Sequence, residues 1–329
     1  MKSLWIEFGI VGVVSFLLST VLTYLIIPIL KGKKAGQKIL EIGPRWHKSK
    51  EGTPTMGGIA FIMAMLLTLL GMAIYYGFHG LQSLLIPLAL TVALAVLNGM
   101  IGFVDDFCKL MKKQNQGLKP HQKSLLQVLT AILYLVALRM LGYADTTLHI
   151  PFTELHVELG LVWYVFAVFV IVGMVNSVNL TDGIDGLAGS VTLVVACFFG
   201  LVGMNVLYPS LTLLSGVLVG GILGFLVFNF HPARVFMGDT GSLFLGGAVT
   251  GAAFMLNEPI IILIVGGVYV LEAVSVILQV GSFKLRNKRI FKMAPIHHHF
   301  EKSGWSEWTI VIVFSLVTVA LCAVAALGL

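Results

Sequence analysis

The chain is poor in charge and in cysteine. Only 11% of its 329 residues are Asp, Glu, Lys or Arg, against about a quarter in soluble domains. Hydrophobic residues make up 58% and the mean hydropathy is +0.98. One water-soluble core cannot bury that excess, which excludes a soluble enzyme, and the same figures exclude a disordered chain. The three cysteines, Cys108, Cys197 and Cys322, are odd in number and widely spaced. They give neither a disulfide framework nor a zinc pattern, and read as small apolar fillers. No hydrophilic stretch is long enough for a separate soluble domain, and no internal repeat stands out.

What is present is a series of long apolar runs. A bilayer core needs about 20 apolar residues per helix. About ten segments qualify: 8–30, 56–76, 83–102, 125–141, 159–175, 187–207, 211–228, 242–256, 259–280 and 308–327. The expected fold is all-α, a single polytopic membrane domain over residues 1–329. The first run is expected to be a span and not a cleaved signal, because its basic flank follows it and it is too long. Lys and Arg set the orientation. With the first long connection placed inside, the connections after runs one, three, five, seven and nine carry seven, five, no, one and six basic residues, 19 of the 21 in the chain. Lys2 and Arg139 are the exceptions. Both termini are therefore expected to be extracytoplasmic, with the +6 net charge concentrated on the cytoplasmic face.

Five of the six aspartates fall on the same side: Asp105, Asp106, Asp182, Asp185 and Asp239. Acidic side chains at a membrane boundary are costly unless solvated, paired or bound to metal. Irregular, glycine-rich backbone is tolerated there only around a cavity or inside protein. One polar cavity open to the cytoplasm would satisfy both conditions. Asp105 and Asp106 repel each other, and a cation would relieve them. Lys109 lies four residues from Asp105, on one face of a continuing helix, so the pair could combine a base with a cation for phosphate; a solvated helix end is the plainer alternative. The segment 176–189, with Asn179, Asp182 and Asp185, resembles a loop for magnesium or for hydrogen-bonding a sugar or base, or else a helix cap and turn. It lacks the spacing of an EF-hand. Asp239 could cap the next helix or bind metal. Phe236 could be lipid-facing, core or a base-stacking platform. Three consecutive histidines, His297, His298 and His299, cannot all face one point on a regular helix, which favours phosphate or diphosphate contact over metal ligation, with a purely structural role for one or two of them as the alternative. Lys50 to Gly58, with Thr55, could contact a phosphate or nucleotide, or serve helix packing. Glu272, inside the ninth run, is either a functional carboxylate or an interhelix hydrogen-bonding group.

Together these features suit phosphoryl transfer between a soluble donor and a lipid acceptor. The stretches Gly52-Thr-Pro-Thr-Met-Gly-Gly58, Gly102-Phe-Val-Asp-Asp106, Asn179-Leu-Thr-Asp-Gly-Ile-Asp-Gly-Leu-Ala188, Phe236-Met-Gly-Asp239 and Ala294-Pro-Ile-His-His-His-Phe-Glu301 go further. With them the whole chain resembles the polyprenyl-phosphate N-acetylhexosamine-1-phosphate transferase superfamily. The Pro-Ile-His-His-His-Phe-Glu run points to its phospho-N-acetylmuramoyl-pentapeptide-transferase branch.

That resemblance implies a ten-helix, commonly dimeric membrane enzyme with magnesium. It would convert UDP-N-acetylmuramoyl-pentapeptide and undecaprenyl phosphate to lipid I and UMP, the first membrane step of peptidoglycan synthesis. It implies Asp105 as the base for the lipid phosphate, Asp106 as its electrostatic support and Asp239 as magnesium ligand. His298, with His297 and His299, would contact the donor diphosphate or muramoyl-peptide. Asp185, Asn229 and Phe236 would hold the uridine. Lys50, Thr55, Asn179, Asp182 and Gln279 would surround that pocket, and Lys109 and Lys123 would face phosphates. The expected cytoplasmic connections are about 31–55, 103–124, 176–186, 229–241 and 281–307. Expected partners are the two substrates, the bilayer of the bacterial plasma membrane and a second copy of the chain, with no nucleic acid. A sister transferase using UDP-GlcNAc is the close rival. An ion-coupled transporter is a distant one, since it would place carboxylates near the midplane, often in related halves.

Overall fold

The computed structural model describes residues 2–32, 50, 52–112 and 116–329. Most of the first basic connection, with Lys33, Lys34, Lys38, Arg45 and Lys48, lies outside the described residues, as does Lys113.

The described residues are mostly helical, with one short hairpin. The helices are α1 (Lys2–Gly32), α2 (Gly58–Phe78), α3 (Ile86–Lys112), α4 (Pro120–Met140), α5 (Leu161–Thr181), α6 (Leu187–Asn205), α7 (Pro209–Asn229), α8 (Gly238–Met255), α9 (Ile261–Val265), α10 (Gly267–Arg286), α11 (Ile296–Glu301) and α12 (Glu307–Ala326). Between α4 and α5 stand antiparallel strands β1 (Thr147–His149) and β2 (His156–Glu158), which the apolar pattern did not announce.

Among the described residues, nine helices are long and apolar enough to cross a membrane: α1 to α7, α10 and α12. Their outer faces carry large exposed apolar side chains, such as Leu17 and Leu25 on α1, Leu70 on α2, Leu133 on α4 and Leu316 on α12. Lipid, not water, is the natural neighbour of such a surface. The eighth expected span, 242–256, is α8, and it differs in kind. Every residue from Thr240 to Met255 is buried. Enclosed by neighbours, α8 needs no lipid-facing side chains, and Gly, Ala and Thr suit its close contacts.

The expected ninth span, 259–280, is corrected. It is broken at Gly266, which closes α9 and opens α10. Two adjacent glycines with poor helix propensity mark the break.

Two pairings organise the bundle: α3 packs most extensively on α8, and α1 on α7. Ser15 and Ser19 of α1 donate to the carbonyls of Val217 and Gly221 on α7, at 2.9 and 2.7 Å. The α3–α8 crossing brings Gly102 so close that a Cβ there would lie 2.1 Å from the Asp239 carbonyl oxygen. Only glycine allows this approach, and it sets the end of α3 against the start of α8.

Candidate active site

Asp105 and Asp106 sit in the last turns of α3, and Asp239 in the first turn of α8. Carboxylate oxygens from the three lie within 4.8 Å of one another. Asp106 accepts from the Thr240 backbone N–H at 2.9 Å, from the Thr240 hydroxyl at 2.7 Å and from the Asp239 N–H at 3.3 Å. The open N-terminus of α8 is thus satisfied by a side chain of α3, and the two helices are locked in register. Asp105 accepts the Leu118 N–H at 2.7 Å, which ties it to the chain leading into α4.

Two lysines offset part of the negative charge of this cluster. Lys109 Nζ lies 2.6 Å from Asp105 and 3.1 Å from Asp239. Lys123 Nζ, from α4, lies 2.9 Å from Asp239 and donates to Asn179 Oδ1 at 3.1 Å. Asn179 in turn donates to Asp239 at 3.0 Å and to the Ser242 hydroxyl at 2.8 Å. The i,i+4 spacing of Asp105 and Lys109 does place the two side chains in contact on one helix face. Asp182 follows α5 directly. Desolvation, and then the negative neighbours Asp239, Asp106 and Asp185, hold its carboxyl well above the usual carboxylate range.

A second cluster stands beside the first. Lys50 Nζ bridges Asp185 Oδ1 and Glu307 Oε2, each at 2.7 Å. The other Asp185 oxygen accepts the Ala233 N–H at 2.9 Å and faces His231 Nδ1 at 3.1 Å. Asn229 takes the Gly186 N–H at 3.2 Å and donates to the Val235 carbonyl at 2.9 Å. Asp185 and Asn229 are thus buried, with their polar atoms already hydrogen-bonded. Phe236 is half-buried, and its backbone pairs with Pro54 and Gly57, which sets it beside Thr55.

The histidines divide. His297 is wholly buried and its Nδ1 lies 3.0 Å from Glu272 Oε2. Its Nε2 edge fills the space that a Cβ at Gly183 would need, 2.2 Å away. That contact seats α11 on the turn carrying Asp182 and Asp185. His297 thus faces inward and fastens α11 to α10. His298 and His299 are half-buried; His298 Nδ1 holds Glu301 at 2.5 Å and His299 Nδ1 accepts the Lys292 N–H at 3.1 Å. Gln279 sits in α10. It bonds Ile290 N–H and Phe291 N–H and donates to the Phe291 carbonyl, so it shapes the loop after α10.

Sequence reasoning missed Thr240, Ser242, His231 and Glu307. Thr240 and Ser242 start α8, and Glu307 lies in the first turn of α12, positions that acidic and hydroxyl residues commonly take without any function. The only signal was their place beside the quoted motifs.

The chain was compared with known proteins. A sequence model described as glycosyl transferase family 4 matches residues 87–257, and phospho-N-acetylmuramoyl-pentapeptide-transferase signature 1 matches residues 50–62. Proteins named phospho-N-acetylmuramoyl-pentapeptide-transferase resemble it over nearly its whole length. The one from Alkaliphilus oremlandii is 47% identical over 328 residues, covering 96% of each chain. That from Alkaliphilus metalliredigens is 48% identical with the same coverage. That from Clostridium perfringens strain 13 is 47% identical over 314 residues, covering 95% of this chain and 96% of the relative. The chain belongs to the phospho-N-acetylmuramoyl-pentapeptide-transferase family. The signature of this transferase family spans Lys50 and Thr55, and the longer match spans all three clustered aspartates. The histidine segment and Glu307 lie beyond both matches. Membership in the family, together with the apolar helices, makes this a multi-pass bacterial membrane protein.

Proposed function

We propose that the chain transfers phospho-N-acetylmuramoyl-pentapeptide from its UDP carrier to undecaprenyl phosphate, giving lipid I and UMP. The observation that carries this reading is the cluster of Asp105, Asp106 and Asp239, bridged by Lys109 and Lys123. Two anions must meet in such a reaction, and positioned cations lower their repulsion.

In the proposed step, an oxygen of the lipid phosphate attacks the donor phosphorus that bears the sugar. The new P–O bond forms as the bond to the bridging oxygen of UDP breaks, and UMP leaves with that oxygen. Lys109 and Lys123 turn from the carboxylates to phosphate oxygens. Loss of Lys109 frees Asp105 Oδ2 to accept a proton from the lipid phosphate. Asp106, held by Thr240, keeps Asp239 and Asp105 at their spacing. Phe236 stacks the uracil, with Asp185, Asn229, Lys50 and Thr55 as the pocket wall, and His298 and His299 reach the donor's diphosphate side.

The donor set fits magnesium. Three clustered carboxylates are hard oxygen ligands, and magnesium takes one or two of them while completing its shell with water and phosphate. Asp239, with Asp105 and Asp106 beside it, would hold the ion. Bound there, it would neutralise charge on the donor diphosphate. A site facing the cytoplasm, extracytoplasmic termini, one domain over the whole chain and a homodimer complete the proposal. The basic connections support the orientation.

Donor competition tests the reading. The purified chain should turn over UDP-N-acetylmuramoyl-pentapeptide with undecaprenyl phosphate and leave UDP-GlcNAc unused. The reverse preference would move it to the sister transferases.

A further inference from the structure

Glu307 opens α12 immediately after its N-cap, Ser306, whose hydroxyl already accepts the Thr309 N–H. The cap is complete without Glu307, and its carboxylate points to other elements. Oε2 accepts Lys50 Nζ at 2.7 Å and the Asp185 backbone N–H at 3.1 Å. Oε1 lies 3.5 Å from His231 Nδ1. One side chain thus fastens α12 to the segment before α2, the α5–α6 turn and the α7–α8 loop. The Glu307 and Lys50 side chains are only 12% and 14% exposed, and that of Asp185 1%.

Asp185, His231 and Glu307 present ligand atoms within 4.8 Å of one another, which on composition alone resembles a metal site. Here the Lys50 ammonium supplies the positive charge, sitting on an oxygen of Asp185 and one of Glu307. An ammonium shared by two carboxylates is fixed in place yet keeps a third N–H for another acceptor. A base carbonyl or ribose hydroxyl is such an acceptor.

We propose that Glu307 is a positioning residue for the donor's nucleoside pocket, acting through Lys50 and the Asp185 turn. The inference rests on the reading that Lys50 and Asp185 wall that pocket. Glu307 does not touch the reacting atoms. It aims Lys50 and anchors the backbone of the 182–186 turn.

The test measures KM and kcat for both substrates with the full-length chain in phospholipid-supplemented detergent. The variants are Glu307→Gln, Lys50→Met and the double variant. Glu307→Gln is expected to raise the KM for UDP-N-acetylmuramoyl-pentapeptide about tenfold, with kcat within about threefold and the undecaprenyl-phosphate KM unchanged. The double variant should show no higher donor KM than Lys50→Met alone, because residues acting through one another are not additive. A merely structural residue would raise both KM values or multiply independently, and either result overturns the inference. An unchanged donor KM in Glu307→Gln also overturns it while wild type turns over. A wild-type chain that ignores this donor overturns the functional reading and this inference together. If Glu307→Gln yields no folded particle, Glu307→Asp carries the same test: a raised donor KM with retained kcat supports the role, and a wild-type donor KM contradicts it.

Discussion

Replacing Gly102 with alanine would put one methyl group into the crossing that holds the aspartates together. The added Cβ would stand 2.1 Å from the Asp239 carbonyl oxygen, 2.4 Å from its carbon and 2.6 Å from the Thr240 nitrogen. Ordinary contact begins at 3.4 Å, so α8 would have to retreat from α3 by about 1.3 Å at this point, the difference between the two distances. The obstructing atoms are backbone, and no rotamer change can relieve them. The displaced residues are Asp239 itself and Thr240, which holds Asp106. Overpacking of this kind costs about 1–3 kcal/mol. A misplacement of about 1 Å at a reacting centre costs roughly 100-fold in rate. Gly102→Ala should therefore fold with a lowered unfolding temperature and lose at least about 100-fold in turnover. Gly71→Ala is the control, because a Cβ there meets nothing within 4 Å and should leave both quantities near wild type. Wild-type turnover by Gly102→Ala would refute the claim that this crossing sets the cluster.

Asp105→Asn, Asp239→Asn and His298→Ala should each lower kcat by at least about 100-fold in folded protein, the scale of acid–base and charge-stabilising groups. Near-normal rates would remove those roles. Chelation with EDTA should abolish transfer and added magnesium should restore it; full activity in excess EDTA would contradict the oxygen-ligand site. On the other side of the molecule, both ring nitrogens of His149 face acceptors, Glu258 at 3.0 Å and the Thr153 carbonyl at 3.0 Å. Glu258 first, and then that carbonyl, raise its pKa. The resulting stability is present below the ordinary histidine pKa of about 6.5 and is lost as pH rises through the raised value. Wild type should therefore exceed Glu258→Gln in unfolding temperature by more at about pH 6 than at about pH 9. A pH-independent gap would contradict the pairing.

Much of the fold was legible because lipid imposes a simple rule on the chain. Long apolar runs became helices, and the basic connections flanked them. Where the rule slackens, the reading slipped. α8 is enclosed by protein, so its composition tracks helix contact and not lipid. The run 259–280 breaks at Gly266 because apolarity says nothing about a local bend. The site was legible where chemistry is local, as with Asp105 and Lys109 four residues apart. It was opaque where partners are distant: Glu307 meets Lys50 across 257 positions and the Asp185 N–H across 122. His297 is a further case: nothing in its motif tells that a carboxylate 25 positions away, Glu272, fixes its ring inside the protein.

The most direct measurement follows radiolabelled muramoyl-pentapeptide from its UDP carrier into an undecaprenyl-linked product, counting UMP released at the same time. The purified chain should form one lipid-linked sugar per UMP with magnesium, and Asp239→Asn should form essentially none. UMP release without lipid-linked label, or undiminished transfer by Asp239→Asn, would contradict phosphoryl transfer at the aspartate cluster.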